Sequence, residues 1–173
     1  GATFLGDGTR MPLGAAAYCN ATLCHVRIQD DAHPAGHLGT VILPAALAVA
    51  EAQQSYGRDL LAAIVGGYEI STRIGRDHAA DLSERGFRTT PIYGTLGAAA
   101  ACARLLGLDE RRALHALSLA THGAAGLREF ADSGTDEYPL QAGVAARNAI
   151  TSTLLAAHGV VGTDLAPTRG ARP

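Results

Sequence analysis

The chain has 173 residues, of which 47% are hydrophobic and 5% aromatic, and its formal net charge is −2. All 14 basic residues are arginines, which excludes a lysine Schiff base, and their scattered positions form no basic surface for nucleic acid or an anionic membrane. Every apolar stretch is interrupted before the ~20 residues that a membrane span needs. The expected partner is therefore a small molecule or another protein.

The first half of the chain begins with helical patterns. Apolar residues at helical spacing predict a helix over residues 12–25, and a polar, irregular stretch predicts a loop over 27–40. Pro44 is predicted to be the first residue of a second helix, because proline is well suited to that position. A long third helix is predicted over residues 58–80, in which Gly66-Gly67 allows a close contact with another helix.

The second half is predicted to hold three more helices, over residues 93–106, 110–125 and 140–158. The first of these is rich in alanine and is expected to be buried on most sides. Gly107 ends it, Asp109 caps the next helix, and Gly159 ends the last. No convincing strand is found, so we predict an all-α fold of about five to six helices.

The number and positions of the cysteines indicate the cellular compartment of the protein. The three cysteines, Cys19, Cys24 and Cys102, are odd in number and lie within helical patterns. These features are typical of reduced thiols, and we therefore expect a cytoplasmic protein.

The loop over residues 27–40 has the densest group of side chains that transfer protons or bind metals. Asp30, Asp31, His33 and His37 lie within eight residues. Two carboxylates and two imidazoles suit acid–base chemistry or metal binding, whereas the alternative is a solvated turn in which an aspartate accepts backbone N–H groups. The spacing matches no common metal motif, so no metal is predicted.

Three residues outside that loop are further candidates. Arg88 has a planar guanidinium that suits a carboxylate ligand, and the alternative is a surface arginine. Tyr138 and His122 are also candidates, although a helical histidine is usually satisfied within the fold. The other histidines are given no function: His25, His78, His115 and His158.

Four segments together resemble the MmgE/PrpD family, the group that includes 2-methylcitrate dehydratases and cis-aconitate decarboxylases. Their order and spacing fit, and they cover nearly the whole chain. The segments are AAAYCNATLCH at 15–25, DDAHP at 30–34 with LPAALA at 43–48, GFRTT at 86–90 with GTLGAAA at 94–100, and LQAGVAARN at 140–148.

The resemblance implies a partial helical N-terminal domain over residues 1–173, as a fragment of a longer chain whose α+β lid domain is absent here. Residues 168–173 fit the family less well than those before them. Relatives act on small di- and tricarboxylic acids without a metal or organic cofactor and are homodimers when full length. A lyase is therefore expected, with dehydration as the first reaction and decarboxylation or epimerisation as alternatives.

The resemblance also implies roles for individual residues. His37 matches a family histidine implicated in proton transfer, and Asp30 and Asp31 match paired aspartates. We predict that the catalytic residues are His37 as the proton-transfer group, Asp31 as the residue that orients it, and Tyr138 as a donor or acid. The predicted substrate-binding residues are Asp30, His33 and Arg88.

Four positions depart from the family pattern. The family usually has aspartate, threonine, histidine and lysine where this chain has Ile28, Ala32, Arg88 and Tyr138. Ile28 and Ala32 cannot exchange protons, whereas Arg88 still binds anions and Tyr138 still donates a hydrogen bond. The alternative function is consequently a non-catalytic helical scaffold or dimerisation protein.

Overall fold

The computed structural model describes residues 1–163 as a mainly helical domain, which confirms the predicted fold class. Six long helices and two short ones make up this part of the chain. The helices are α1 (Leu13–His25), α2 (Gly39–Gln53), α3 (Gly57–Gly75), α4 (Ala79–Glu84), α5 (Thr89–Leu105), α6 (Glu110–Thr121), α7 (Phe130–Ser133) and α8 (Tyr138–Ala157). The terminal residues 168–173, expected from the sequence to fit the family less well, lie outside the described residues.

A small hairpin near the N-terminus corrects the prediction that the chain has no strand. Strands β1 (Ala2–Thr3) and β2 (Arg10–Met11) pair in antiparallel register. The hydroxyl and backbone N–H of Thr3 donate to the Glu51 carboxylate at 2.6 and 2.7 Å. Two-residue strands carry too few side chains for a periodic pattern, and the contact with α2 stabilises them instead.

The prediction that α2 begins at Pro44 was wrong. The helix begins five residues earlier, at Gly39, and contains Pro44 in its interior. The Asp31 carboxylate accepts from the Gly39 N–H at 3.0 Å, which satisfies a donor at the helix start from outside the helix. Pro44 lacks an N–H to donate, but the helix continues through it. Because the cap comes from Asp31, the helix start carries no local sequence signal.

Other boundaries also differ from the prediction. The expected long third helix ends at Gly75, and α4 is separate because His78 has non-helical backbone angles of φ −127° and ψ −5°. The helix predicted over 110–125 ends at Thr121. The loop expected before the last helix contains α7.

The alanine-rich helix α5 lies at the centre of the domain and is buried on most sides, as predicted for its burial. It packs against α2, α3, α6 and α8, and 13 of its 17 residues are buried. Small side chains let the surrounding helices approach closely. Arg88 directly precedes this central helix and Thr90 lies in its first turn, where the candidate site lies.

The α3–α5 contact depends on glycines, which confirms the predicted close approach for one of the two. A Cβ atom at Gly67 would lie 2.6 Å from the Gly97 carbonyl oxygen, whereas a Cβ atom at Gly66 would have no atom within 4 Å. Gly67 therefore lies at the crossing and Gly66 does not.

The helix cap predicted at Asp109 and the helix ends predicted at Gly107 and Gly159 are confirmed. The Asp109 carboxylate accepts from the Arg112 N–H at 2.8 Å, and Gly107 and Gly159 have positive φ angles of 63° and 91°. None of the helices in residues 1–163 combines the length and the apolar character needed to cross a bilayer.

Candidate active site

The loop that carries the acidic and histidine residues is folded against the start of α5. The Thr90 hydroxyl oxygen accepts from the His37 N–H at 3.0 Å, and a Cβ atom at Gly36 would lie 2.7 Å from the Thr90 nitrogen. Gly36 has φ +114°, which favours glycine over other residues. The loop therefore presents His37 next to the C-terminal end of α1 and the first turns of α5 and α8.

Asp30 lies between two histidines. Its Oδ2 is 2.6 Å from the Nδ1 of His25, and its Oδ1 is 2.7 Å from the Nδ1 of His37. The approach to His37 lacks hydrogen-bond geometry, and Oδ1 is buried without a hydrogen bond. Asp30 thus places one negative charge beside both imidazole rings, whose centroids are 5.3 Å apart.

His37 is held in one tautomer by a backbone group. Its Nδ1 is 2.7 Å from the carbonyl oxygen of Asp31, and because a carbonyl oxygen only accepts, Nδ1 must carry the proton. In the neutral ring Nε2 is then the unprotonated nitrogen. No hydrogen bond within residues 1–163 engages Nε2, and the side chain is 31% exposed, so this atom is available to a substrate.

His25 is fully buried and contacts Arg88 as well as Asp30. Its Nε2 faces a terminal guanidinium nitrogen of Arg88 at hydrogen-bonding distance. Burial lowers the pKa of His25, the hydrogen bond to Asp30 raises it in part, and the Arg88 charge lowers it further. His25 is therefore held in its neutral form.

Arg88 is buried, which overturns the alternative of a surface arginine. Arg88 is 7% exposed, and its guanidinium also donates to the Tyr138 carbonyl oxygen. Its Cζ atom lies 4.7 Å from the centroid of the Phe130 ring. Burial lowers the pKa of Arg88 to about 10, and the nearby Asp30 charge opposes this effect, so the side chain is charged at neutral pH.

Asp31 contacts His37 through its backbone and not through its carboxylate. The carboxylate accepts from the Gly39 N–H and, at 3.0 Å, from the Tyr68 hydroxyl. Burial and the Asp31 charge raise the pKa of Tyr68, which therefore stays protonated as a donor. The contact with His37 comes from the Asp31 carbonyl oxygen, so the predicted orienting influence has a backbone source in the structure.

The remaining predicted residues fall into two groups. Tyr138 belongs to the cluster, since its ring is 5.7 Å from that of His25 and its hydroxyl donates to the Val26 carbonyl oxygen at 2.5 Å. His33 is exposed, and its Nδ1 accepts from the Ala35 N–H at 3.0 Å. His122 is an exposed residue at the end of α6.

Two positions where the chain departs from the family pattern lie at the outer side of the loop. Ile28 and Ala32 are both exposed. Ile28 has φ +49°, an unfavourable angle for a β-branched residue. The aspartate expected there from the family pattern tolerates that backbone better.

Sequence reasoning missed the role of His25 in this cluster. The residue lies in the first segment that resembles the family, at the end of α1, but its contact with Arg88 joins residues 63 positions apart. No local pattern marks such a pair. Among residues 1–163, no group of three or more His, Cys, Asp and Glu side chains is arranged to hold a metal ion.

Comparison with known proteins gives consistent matches. The family model for the MmgE/PrpD N-terminal domain matches residues 1–172. The chain is 36% identical to a cis-aconitate decarboxylase-like protein of Aspergillus oryzae over 168 residues, which are 91% of this chain and 35% of that protein. It is 35% identical to the cis-aconitate decarboxylase of Homo sapiens over 160 residues, which are 88% of this chain and 33% of that enzyme.

The cis-aconitate decarboxylase of Mus musculus is also 35% identical over 160 residues, covering 88% of this chain and 32% of the enzyme. The chain thus spans about a third of the length of these curated relatives. The family model covers nearly every residue, and the helical fold agrees with it. The chain belongs to the MmgE/PrpD family, within its N-terminal domain.

Proposed function

We propose that the full-length protein is a lyase that transfers a proton at a carbon atom next to a carboxylate of a small di- or tricarboxylic acid. The observation that carries this proposal is the anchoring of His37, whose Nδ1 is held by the Asp31 carbonyl oxygen while Nε2 is open to a ligand. The names of the relatives support the same substrate class.

The charges around His37 suit this chemistry. When Nε2 accepts a proton, the ring becomes positively charged, and the Asp30 carboxylate 2.7 Å from Nδ1 stabilises that charge. Arg88 supplies a positive charge for a substrate carboxylate through guanidinium N–H groups that do not contact His25 or Tyr138. The Tyr138 hydroxyl donates to the Val26 carbonyl oxygen in the structure, and it is proposed to donate to the substrate instead when one binds.

Dehydration and decarboxylation move the proton between carbon and the His37 Nε2 in opposite directions. In dehydration, Nε2 takes the proton from carbon, the C–H electron pair forms the double bond, and hydroxide leaves with a proton as water. In decarboxylation, the C–C electron pair stays on the substrate as carbon dioxide leaves, and protonated Nε2 delivers a proton to that carbon. The sequence resemblance favoured dehydration, whereas the names of the relatives favour decarboxylation as a second candidate.

The proposed function also includes a cytoplasmic location, a homodimeric full-length protein and no metal or organic cofactor. His33 and the Asp30 carboxylate are proposed to contribute polar contacts to the substrate. His33 is exposed on the same loop as His37.

The test is to incubate purified full-length protein separately with citrate, 2-methylcitrate and cis-aconitate and to identify products by NMR. Formation of an alkene with loss of water supports dehydration, and release of carbon dioxide supports decarboxylation. The matched control is His37→Gln, which removes the proton-transfer group and is expected to reduce turnover about 10²- to 10⁴-fold. A folded wild-type protein that converts none of these acids would favour the non-catalytic scaffold.

A further inference from the structure

His25 is the most deeply buried ionisable side chain of the cluster, with a side-chain exposure of 0%, and it takes no part in the proposed proton transfer. It lies between Arg88 and Asp30. We propose that His25 is a positioning residue that holds the Asp30 carboxylate against His37. The catalytic consequence rests on the proposed function, whereas the structural consequence does not.

The tautomer of His25 follows from its two neighbours. The Arg88 guanidinium only donates hydrogen bonds, so the Nε2 of His25 must accept. The remaining ring proton is then on Nδ1, which donates to Asp30 Oδ2 at 2.6 Å. Arg88 thus directs the ring proton of His25 towards Asp30, because a hydrogen bond accepted by one ring nitrogen fixes the proton on the other.

The effect on His37 passes through Asp30. With Oδ2 held by His25, the other oxygen, Oδ1, lies 2.7 Å from the Nδ1 of His37. Oδ1 makes no hydrogen bond of its own in residues 1–163. The position of the carboxylate therefore depends on His25, and a released Asp30 would turn away from His37 to find other donors.

The groups around His25 come from several elements. Asp30 and His37 approach from the loop, Arg88 from the residue before α5, and Tyr138 from the first turn of α8. Of these, only Asp30 is an acceptor for the His25 N–H. Removal of that N–H therefore leaves Asp30 without its hydrogen-bond donor at Oδ2.

The first arm of the test needs no enzymatic activity. Full-length protein labelled with ¹⁵N only in histidine is studied by NMR at neutral pH. The expected wild-type His25 signal shows a protonated Nδ1 and an unprotonated Nε2, with the Nδ1 proton far downfield because its hydrogen bond to a carboxylate is short. An unprotonated Nδ1 in His25 would overturn the proposal.

The second arm compares three variants by the same signals. His25→Leu should shift the His37 Nδ1 signal, since the Asp30 charge moves away from that nitrogen while its hydrogen bond to the Asp31 carbonyl oxygen remains. His25→Asn retains an N–H at the position of the His25 Nδ1 and should preserve the wild-type His37 signal. His78→Leu is the matched control, because His78 is exposed and lies outside the cluster. An unchanged His37 signal in folded His25→Leu would overturn the proposal, and the wild-type measurement decides the matter if that variant does not fold.

The third arm measures turnover. His25→Leu is expected to lower kcat about 10- to 100-fold with little change in KM, and His25→Asn should recover most of the loss. In an Asp30→Asn background His25→Leu should have little further effect, since both act on His37 through one carboxylate. Additive losses would overturn the proposal. A wild-type protein without turnover would defeat the proposed function alone, because the NMR arms still decide the role of His25.

Discussion

At the scale of single residues, backbone strain at Ile28 is the most accessible property to test. Ile28 has φ +49° and is 47% exposed, so its side chain gains little from packing while its backbone lies in the left-handed region. Asparagine tolerates this region better than a β-branched residue. We expect Ile28→Asn to raise the free energy of unfolding by about 1 kcal/mol, measured by urea denaturation.

The control for this substitution is Val26→Asn. Val26 is 48% exposed and has a right-handed φ of −54°, so asparagine relieves no strain there. A gain at Val26 equal to that at Ile28 would show that polarity, and not backbone conformation, is responsible.

The buried His25 predicts a pH dependence of stability. Burial places the pKa of His25 below the unfolded value of about 6.5, so the unfolded chain binds more protons as the pH falls through this region. The stability is therefore fully present above about pH 6.5 and is lost as the pH falls towards the folded-state pKa, by at most about 1.4 kcal/mol per pH unit for this group.

Thermal unfolding at pH 7.5 and 5.5 measures this effect. Wild type should lose more stability than His25→Asn, which has no ionisable group at this position. Asp30, Arg88, His37 and Tyr138 surround His25 and are unchanged in the variant. Equal losses in the two proteins would contradict a neutral, buried His25.

The site was only partly predictable at this scale. The sequence identified Asp30 and His37 because they lie close together in one irregular loop. It could not identify the pairing of His25 with Arg88, since that contact requires α1 and the start of α5 to meet. The buried state of Arg88 was hidden for the same reason, because tertiary packing alone decides whether such an arginine is exposed.

At the scale of helices, the α3–α5 crossing offers a matched pair of adjacent glycines. Gly67→Ala would place a Cβ atom 2.6 Å from the backbone oxygen of Gly97, so α3 and α5 must separate. We expect a loss of about 1 to 3 kcal/mol in the free energy of unfolding. Gly66→Ala meets open space within a helix and should stabilise the protein by about 0.5 to 1 kcal/mol.

Chemical denaturation of both variants measures this contrast. The two substitutions add the same methyl group at neighbouring positions of the same helix, so helix propensity is matched and only the contact differs. Equal effects on stability would contradict the assignment of Gly67 to the helix crossing.

Helix boundaries were predictable where the signal is local. Asp109 caps α6 from one residue before it, and Gly107 and Gly159 adopt the positive φ that follows a helix. The start of α2 was not predictable, because its cap comes from Asp31, eight residues earlier. Pro44 suggested a helix start because proline favours the first position of a helix, but here it lies inside α2.

At the scale of the whole molecule, composition was sufficient to predict a helical domain with a small-residue core. The alanine-rich helix α5 is central because α2, α3, α6 and α8 all pack on it. Of its 17 residues 13 are buried, in agreement with the burial expected from its small side chains. Large apolar side chains are exposed instead on other elements, among them Leu61 and Val65 of α3.

Proton transfer by His37 in the full-length protein underlies each of the proposed reactions. Its imidazole is anchored at Nδ1 by the Asp31 carbonyl oxygen, has Asp30 beside it, and leaves Nε2 open. This arrangement predicts that solvent hydrogen enters the substrate or the product, because proton transfer at carbon precedes the loss of water in dehydration and follows the loss of carbon dioxide in decarboxylation.

The most direct test is NMR of full-length protein in deuterated water with each carboxylic acid in turn. Wild type should incorporate deuterium at a carbon next to a carboxylate, and His37→Gln should reduce that rate about 10²- to 10⁴-fold while remaining folded. Deuterium incorporation at the wild-type rate by His37→Gln, or none by folded wild type with any acid, would contradict the account.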